Sequence, residues 1–165
     1  MRAFEQQIRL KDVLIGLPCM TVLLVVIWPT GTHCGGAPPS AMCASRVKTM
    51  LVSSLIYAND FDDKIAPTFT WMNSLLPYIK SESEFHDTKA EAQFGYGYAM
   101  NDDSSGRKTE KISKPDKFVL IFESSLPGRN AHGNLSTLQR PGRHGNGSVE
   151  GFLDGHAKKI TAPTK

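Results

Sequence analysis

The sequence predicts an α+β fold: an N-terminal membrane helix, then a domain in which one amphipathic helix packs on a small antiparallel sheet that ends in a C-terminal β-hairpin. Three observations carry this expectation. An uncharged apolar run, Val13–Trp28, follows a basic N-terminus. Val47, Met50, Leu51, Leu55 and Ala58 recur at three- and four-residue steps, which puts them on one face of a helix. Finally, the β-favouring run Lys117–Glu123 precedes an Asp154-Gly155 pair flanked by two short apolar-bearing segments.

Taken in order, the run VLIGLPCMTVLLVVIW is somewhat shorter than the roughly 20 residues that a perpendicular membrane helix needs. Arg2, Arg9 and Lys11 precede it, and nothing basic follows until Arg46. This asymmetry leaves the N-terminus in the cytoplasm and exports the rest. An uncleaved anchor is the preferred reading. A cleaved secretory signal fits the same basic start and apolar core but lacks a clean small-x-small site in PTGTHCGGAPP. A buried core helix is the third option, disfavoured because all the charge lies on one side. The expected organisation is a cytoplasmic N-terminus (1–12), an anchor (13–29), a Gly/Pro linker (30–40), an exported domain (41–161) and a short tail (162–165).

Pro38 and Pro39 stop any helix from running through the linker, and Ser40 is the expected N-cap of the amphipathic helix. That helix ends near Asn59 and Asp60, where the acidic turn Asp60-Phe61-Asp62-Asp63 begins. WMNSLLPYI (71–79) reads as a short helix broken at Pro77, and FGYGYAM (94–100) as an extended segment where backbones approach closely. Lys117–Glu123 is the clearest buried strand, and Leu126–Arg143, rich in Gly, Pro, Asn and Arg, reads as a long exposed loop. In the closing SVEGFLDGHAKKI, Val149, Gly151 and Leu153 face one way and Glu150, Phe152 and Asp154 the other, with Asp154-Gly155 in a type I′ turn. The hairpin is expected to pair with the 117–123 strand.

The composition narrows the function. With 40% hydrophobic and 21% charged residues, the 165-residue chain is ordinary globular material, and its net charge of +3 is spread without a dense basic block. Nucleic acid is therefore not an expected partner. Cys19 lies inside the apolar run. Cys34 and Cys43 lie beyond it, either bridged in an oxidising compartment or left as two free thiols. His144, Asp154 and His156 are candidate ligands for zinc or a similar cation, and Asp60, Asp62 and Asp63 offer oxygens for calcium. The structural alternative is preferred for both sets: a turn and strand residues for the first, a solvated helix end for the second. No Gly-x-Ser-x-Gly elbow, HExxH or phosphate-binding loop is present. The trio Ser124, Glu123 and His144 is one that any chain of this size offers. No catalytic residue, no enzyme activity and no cofactor are expected, calcium being the candidate exception.

His144, nine residues and Asp154-Gly155, set in RHGNGSVEGFLDGHAKKI, resemble the C-terminal signature of the prepilin-type, processing-associated His-x9-Asp-Gly family, a pseudopilin-related group. CASRVKTMLVSSLIYANDFDDKIAP, WMNSLLPYIK, YGYAMN and KPDKFVLIFES resemble further segments of that family, in the same order, from about Cys43 to Ile160. The resemblance implies a pilin-like domain on the periplasmic or external side of the inner (cytoplasmic) membrane. It also implies a non-catalytic structural or assembly role and partners among other pilin-like or type II secretion and type IV pilus-like subunits. The alternative is a membrane-anchored binding module for calcium or a glycan. The chain departs from the prepilin pattern at Lys11–Gly16, where no Gly-Phe junction stands and Gly16 replaces the expected Glu, so processing and methylation do not carry over. Phe85-His86-Asp87-Thr88 replaces the family's Phe-x-Cys-Pro, so the partner that the resemblance implies for Cys43 is absent, which leaves Cys34 or none.

Overall fold

The computed structural model describes residues 39–161, apart from 88–89, 91–94 and 146. Helix α1, Pro39–Asp60, opens on a proline, whose missing N–H costs nothing in the first turn. Ser40, expected as the cap, thus lies within that turn. Cys43, Val47, Met50, Leu51 and Ala58 are buried along one face. Ser53 and Ser54 are buried too and satisfy their hydroxyls on Tyr78 O and Met50 O, at 3.1 and 2.9 Å. The helix stops where Asp62 and Asp63 enter the left-handed region at φ 54° and 59°. A second short helix, α2 (Trp71–Leu75), runs into a 3₁₀ turn at Leu76–Tyr78, whose Pro77 cannot continue the α-helical ladder.

Five strands follow: β1 (Tyr98–Asn101), β2 (Val119–Glu123), β3 (His132–Gly133), β4 (Gly147–Phe152) and β5 (Ala157–Thr161). They form one sheet in the order β3-β1-β2-β4-β5. β2 pairs antiparallel with β1 on one side and β4 on the other, and β4 and β5 form a hairpin.

The expected architecture needs correcting. The sheet is mixed, not antiparallel, because β3 pairs parallel to β1, with Met100 opposite His132 and Asn101 opposite Gly133. After β2 the chain passes β1 and adds β3 beyond it, parallel to β1 and antiparallel to β2, so the connection over 124–131 skips a strand at one end of the sheet instead of making a tight turn. Two residues are too few to show any alternation, so the sequence pattern is silent on β3. The described residues hold two α-helices, the amphipathic one and the short one within the segment read as a helix broken at Pro77. The membrane helix expected over 13–29 lies outside the described residues, and no helix among those described is long and apolar enough to cross a membrane.

Both faces of the sheet are covered. α1 and α2 lie on one, where Trp71, Phe85, Tyr98, Met100, Ile121, Val149 and Leu153 join the α1 stripe in a single apolar core. Trp71 and Phe85 meet edge to face at 5.6 Å, a geometry that adds about 0.5–1.5 kcal/mol beyond the area they bury. On the other face, Ala131 and Leu138 close over Ala99, Val119 and Phe122. The segment 126–143, expected as an exposed loop, is therefore a cover: Trp71 Nε1 donates to Ala131 O at 2.9 Å and Asn130 Oδ1 accepts from the N–H of Met72 at 2.8 Å.

The hairpin turn also differs from the expected type. Phe152 N–H donates to His156 O and Gly155 N–H to Phe152 O, both at 2.9 Å, which closes a three-residue loop. Gly155 is left-handed at φ +93°, and Asp154 is not among the positive-φ residues. This is a turn followed by a left-handed glycine, in place of the two left-handed residues of a type I′ turn.

Candidate functional site

Where the start of α1 meets the end of β2, four chain segments bring a thiol, an imidazole and two carboxylates together. Cys43 stands one turn into α1, four residues before Val47 on the buried face. Glu123 is the last residue of β2, opposite Tyr98 of β1. Asp87 follows a 3₁₀ turn, Glu82–Phe85, that is pinned to the core by the buried Phe85 ring. His144 precedes β4, and its N–H donates to Gly147 O at 3.3 Å. The segment bearing Asp87 passes so close to β1 that a Cβ on Gly97 would sit 2.4 Å from the Asp87 Cβ, so only glycine permits the approach.

The four side chains are buried, with Asp87 and Glu123 fully excluded from solvent. Cys43 Sγ lies 2.9 Å from His144 Nε2 and 3.7 Å from Asp87 Oδ1. His144 Nε2 is 3.3 Å from Glu123 Oε1 and 3.8 Å from Asp87 Oδ2. Arg143 buttresses the group: its Nη1 donates to Asp87 Oδ2 and to Gly97 O, each at 3.1 Å, and its Nη2 to Ser124 O. Glu123 Oε2 accepts from the N–H of Val149 at 3.1 Å, while Oε1 points into the cluster and accepts no hydrogen bond.

Burial sets the electrostatics. Removal from water, then the nearby Asp87 carboxylate, push the Cys43 thiol up to about 12. Burial pushes the Glu123 carboxyl up to about 7, opposed by the hydrogen bond from Val149. Tyr98, whose phenol faces Cys43, is raised well above its ordinary value by the same desolvation. The arrangement disfavours anionic charge unless a cation or a proton is shared among the groups.

The residues expected from the sequence part company here. His144 belongs to the buried cluster. Asp154 and His156 instead pair with each other at the hairpin tip, His156 Nδ1 lying 2.5 Å from Asp154 Oδ1, with His156 stacked on Phe152 at 4.2 Å. The His156 N–H and imidazole hold the Asp154 carboxyl below its usual range. Among the described residues, the one group of three or more such side chains within ligand distance is Cys43, Asp87, Glu123 and His144. Asp60 Oδ2 accepts from the Tyr78 hydroxyl at 2.9 Å, and Asp62 pairs with Lys64 at 3.7 Å, so the acidic turn is a helix end with local partners. Cys43 is a buried free thiol among the described residues; Cys34, the other half of the possible bridge, lies outside them. Of the trio Ser124, Glu123 and His144, only the last two meet; the Ser124 hydroxyl donates to Thr137 O at 3.0 Å.

Neither Asp87 nor Arg143 carries a local signal in the sequence. Glu123 carried one: a carboxylate closing an apolar strand has to be buried if both faces of that strand are covered. Compared with models of known protein families, with curated proteins and with solved structures, the chain matches none.

Proposed function

We propose that this chain is a non-catalytic, pseudopilin-like structural or assembly protein of the bacterial envelope. Its apolar segment 13–29 holds it at the cytoplasmic membrane, the domain 41–161 lies on the periplasmic or external side, and its partners are subunits of a type II secretion or type IV pilus-like machine. One observation supports this above the others. The two ends of the His-x9-Asp-Gly motif bracket strand β4: His144 is locked into the buried cluster before it, and Asp154-Gly155 forms the turn after it. The motif thus serves the architecture of the sheet, which suits a structural role more than turnover. The calcium- or glycan-binding alternative has less behind it, since Asp60 and Asp62 are engaged by Tyr78 and Lys64.

The test is photo-crosslinking in cells from Val52 or Ile56, exposed apolar residues on the outer face of α1. Crosslinks to pilin-like or secretion subunits, with the chain recovered in the membrane fraction, are the expected result. A chain found only in the soluble fraction and free of such crosslinks overturns the proposal.

A further inference from the structure

We infer that Cys43, Asp87, Glu123 and His144 form a structural binding site for one divalent transition-type cation, zinc being the best match. The inference does not rest on the envelope role, because it concerns the chain's own side chains and is read on the purified protein.

The donor set comes first. A thiolate and an imidazole select zinc over calcium or magnesium, and carboxylates complete a four-ligand shell. One ligand atom from each of the four residues lies within 4.8 Å of the others; Cys43 Sγ stands 2.9 Å from His144 Nε2 and 3.7 Å from Asp87 Oδ1, and Glu123 Oε1 stands 3.3 Å from His144 Nε2. Ligands bonded tetrahedrally to zinc at about 2.0–2.3 Å stand about 3.3–3.8 Å apart. Closing the shell takes side-chain shifts of about 1 Å or less, a widening between Cys43 Sγ and His144 Nε2 and a narrowing of the pairs nearer the 4.8 Å limit.

Charge supplies the second line. With Cys43 as thiolate and Asp87 and Glu123 ionised, Arg143 offsets one of three negative charges in a site shut off from water. A divalent cation that displaces the Cys43 proton cancels the remainder, so the loaded site carries no uncompensated buried charge. Glu123 Oε1 is an independent pointer: a buried carboxylate oxygen, directed at the other donors, that accepts no hydrogen bond.

The supporting shell is also in place. Arg143 fixes Asp87 through Oδ2 and leaves Oδ1 towards Cys43, and the N–H of Val149 fixes Glu123 through Oε2. Such outer contacts orient the ligands before the ion arrives. Binding would form a metal–sulfur bond and release the Cys43 proton to solvent, with no change of oxidation state. The burial of all four donors marks a closed, structural site, because a catalytic one keeps a position open to substrate.

The test uses the full chain, purified without chelators, with elemental analysis for bound metal and cobalt(II) as a spectroscopic probe. About one zinc per chain is expected. Cobalt(II) added to metal-stripped protein should give tetrahedral ligand-field bands and a thiolate-to-metal charge-transfer band. Cys43→Ser should abolish the charge-transfer band, and His144→Ala should weaken zinc binding by more than about 100-fold, beyond the range for outer-contact losses. Should those variants fail to fold, the cobalt spectrum of the unaltered chain decides alone. A folded chain that carries no metal and leaves cobalt(II) with its octahedral aqueous spectrum overturns the inference. So does a folded Cys43→Ser chain whose cobalt spectrum matches the parent's, since the metal is then held elsewhere.

Discussion

Two histidine–carboxylate pairs flank strand β4 and do opposite things. At the hairpin tip, His156 and Asp154 sit 2.5 Å apart in solvent. Before the strand, His144 and Glu123 sit 3.3 Å apart in the interior. The shorter contact is the less consequential one. Water screens the tip pair and solvates each partner when the other is removed, so an exposed ion pair contributes only about 0–1 kcal/mol. The buried pair has no such refuge, and a missing partner leaves a carboxylate in an apolar setting. Burial, more than proximity, decides which half of the motif holds the fold together.

The comparison is broken most sharply by removing each histidine in turn. His144→Ala should destabilise the chain by about 3–5 kcal/mol in chemical denaturation, because Glu123 and Asp87 lose a buried neighbour. His156→Ala should stay within about 1 kcal/mol. Equal losses at the two positions would remove the distinction.

A second experiment varies protonation. In chelator-treated protein, Glu123 stands at about 7 in the folded chain against an ordinary 4.5. A carboxyl raised on folding holds its proton more tightly in the folded state. Its contribution therefore favours folding most below about 4.5 and is lost as pH rises towards about 7, a swing of about 3 kcal/mol. Arg143, Asp87, His144 and Cys43 all face this carboxyl, so the control is Glu123→Gln, which should flatten the slope across that window. An unchanged slope would assign the pH dependence to another group.

The tip supplies the smallest effects. Gly155→Ala should cost about 1–2 kcal/mol in thermal or chemical unfolding, because φ +93° disfavours any Cβ. Asp154→Asn should change stability by less than about 0.5 kcal/mol, since the backbone closes the loop without its charge. A larger loss at Asp154 than at Gly155 would show that the motif's carboxylate, and not its backbone freedom, matters there.

The difference between the two pairs also shows what the sequence could and could not disclose. Helix α1, strand β2 and the closing hairpin were legible because each carries a local signature: a helical stripe, a continuous β-favouring run, an Asp-Gly pair flanked by apolar segments. Strand β3 was not, since His132 and Gly133 join the sheet beyond β1, a pairing that skips a strand and depends on the whole topology. The cover formed by Ala131 and Leu138 was hidden for a similar reason: a segment dense in Gly and Pro packs through a few apolar residues and backbone contacts, not through periodicity.

At the site, His144 was visible as half of a motif, and the motif's spacing pointed towards Asp154 and His156 as its companions. That spacing measures the length of β4, and the true neighbours come from residues 43, 87 and 123. Asp87 gave no warning because its role is set by Gly97 and Arg143, which reach it only in the folded chain.

Cys43 tests the closed, metal-loaded cluster most directly. Alkylation of the full chain with a maleimide in mild denaturant, read at the Cys43 peptide by mass, should be slow in the protein as purified and at least tenfold faster after metal is removed by a chelator, because a metal-free fold opens more readily to expose this buried thiol. Rapid labelling of Cys43 in the native protein, or a rate indifferent to the chelator, would contradict the account.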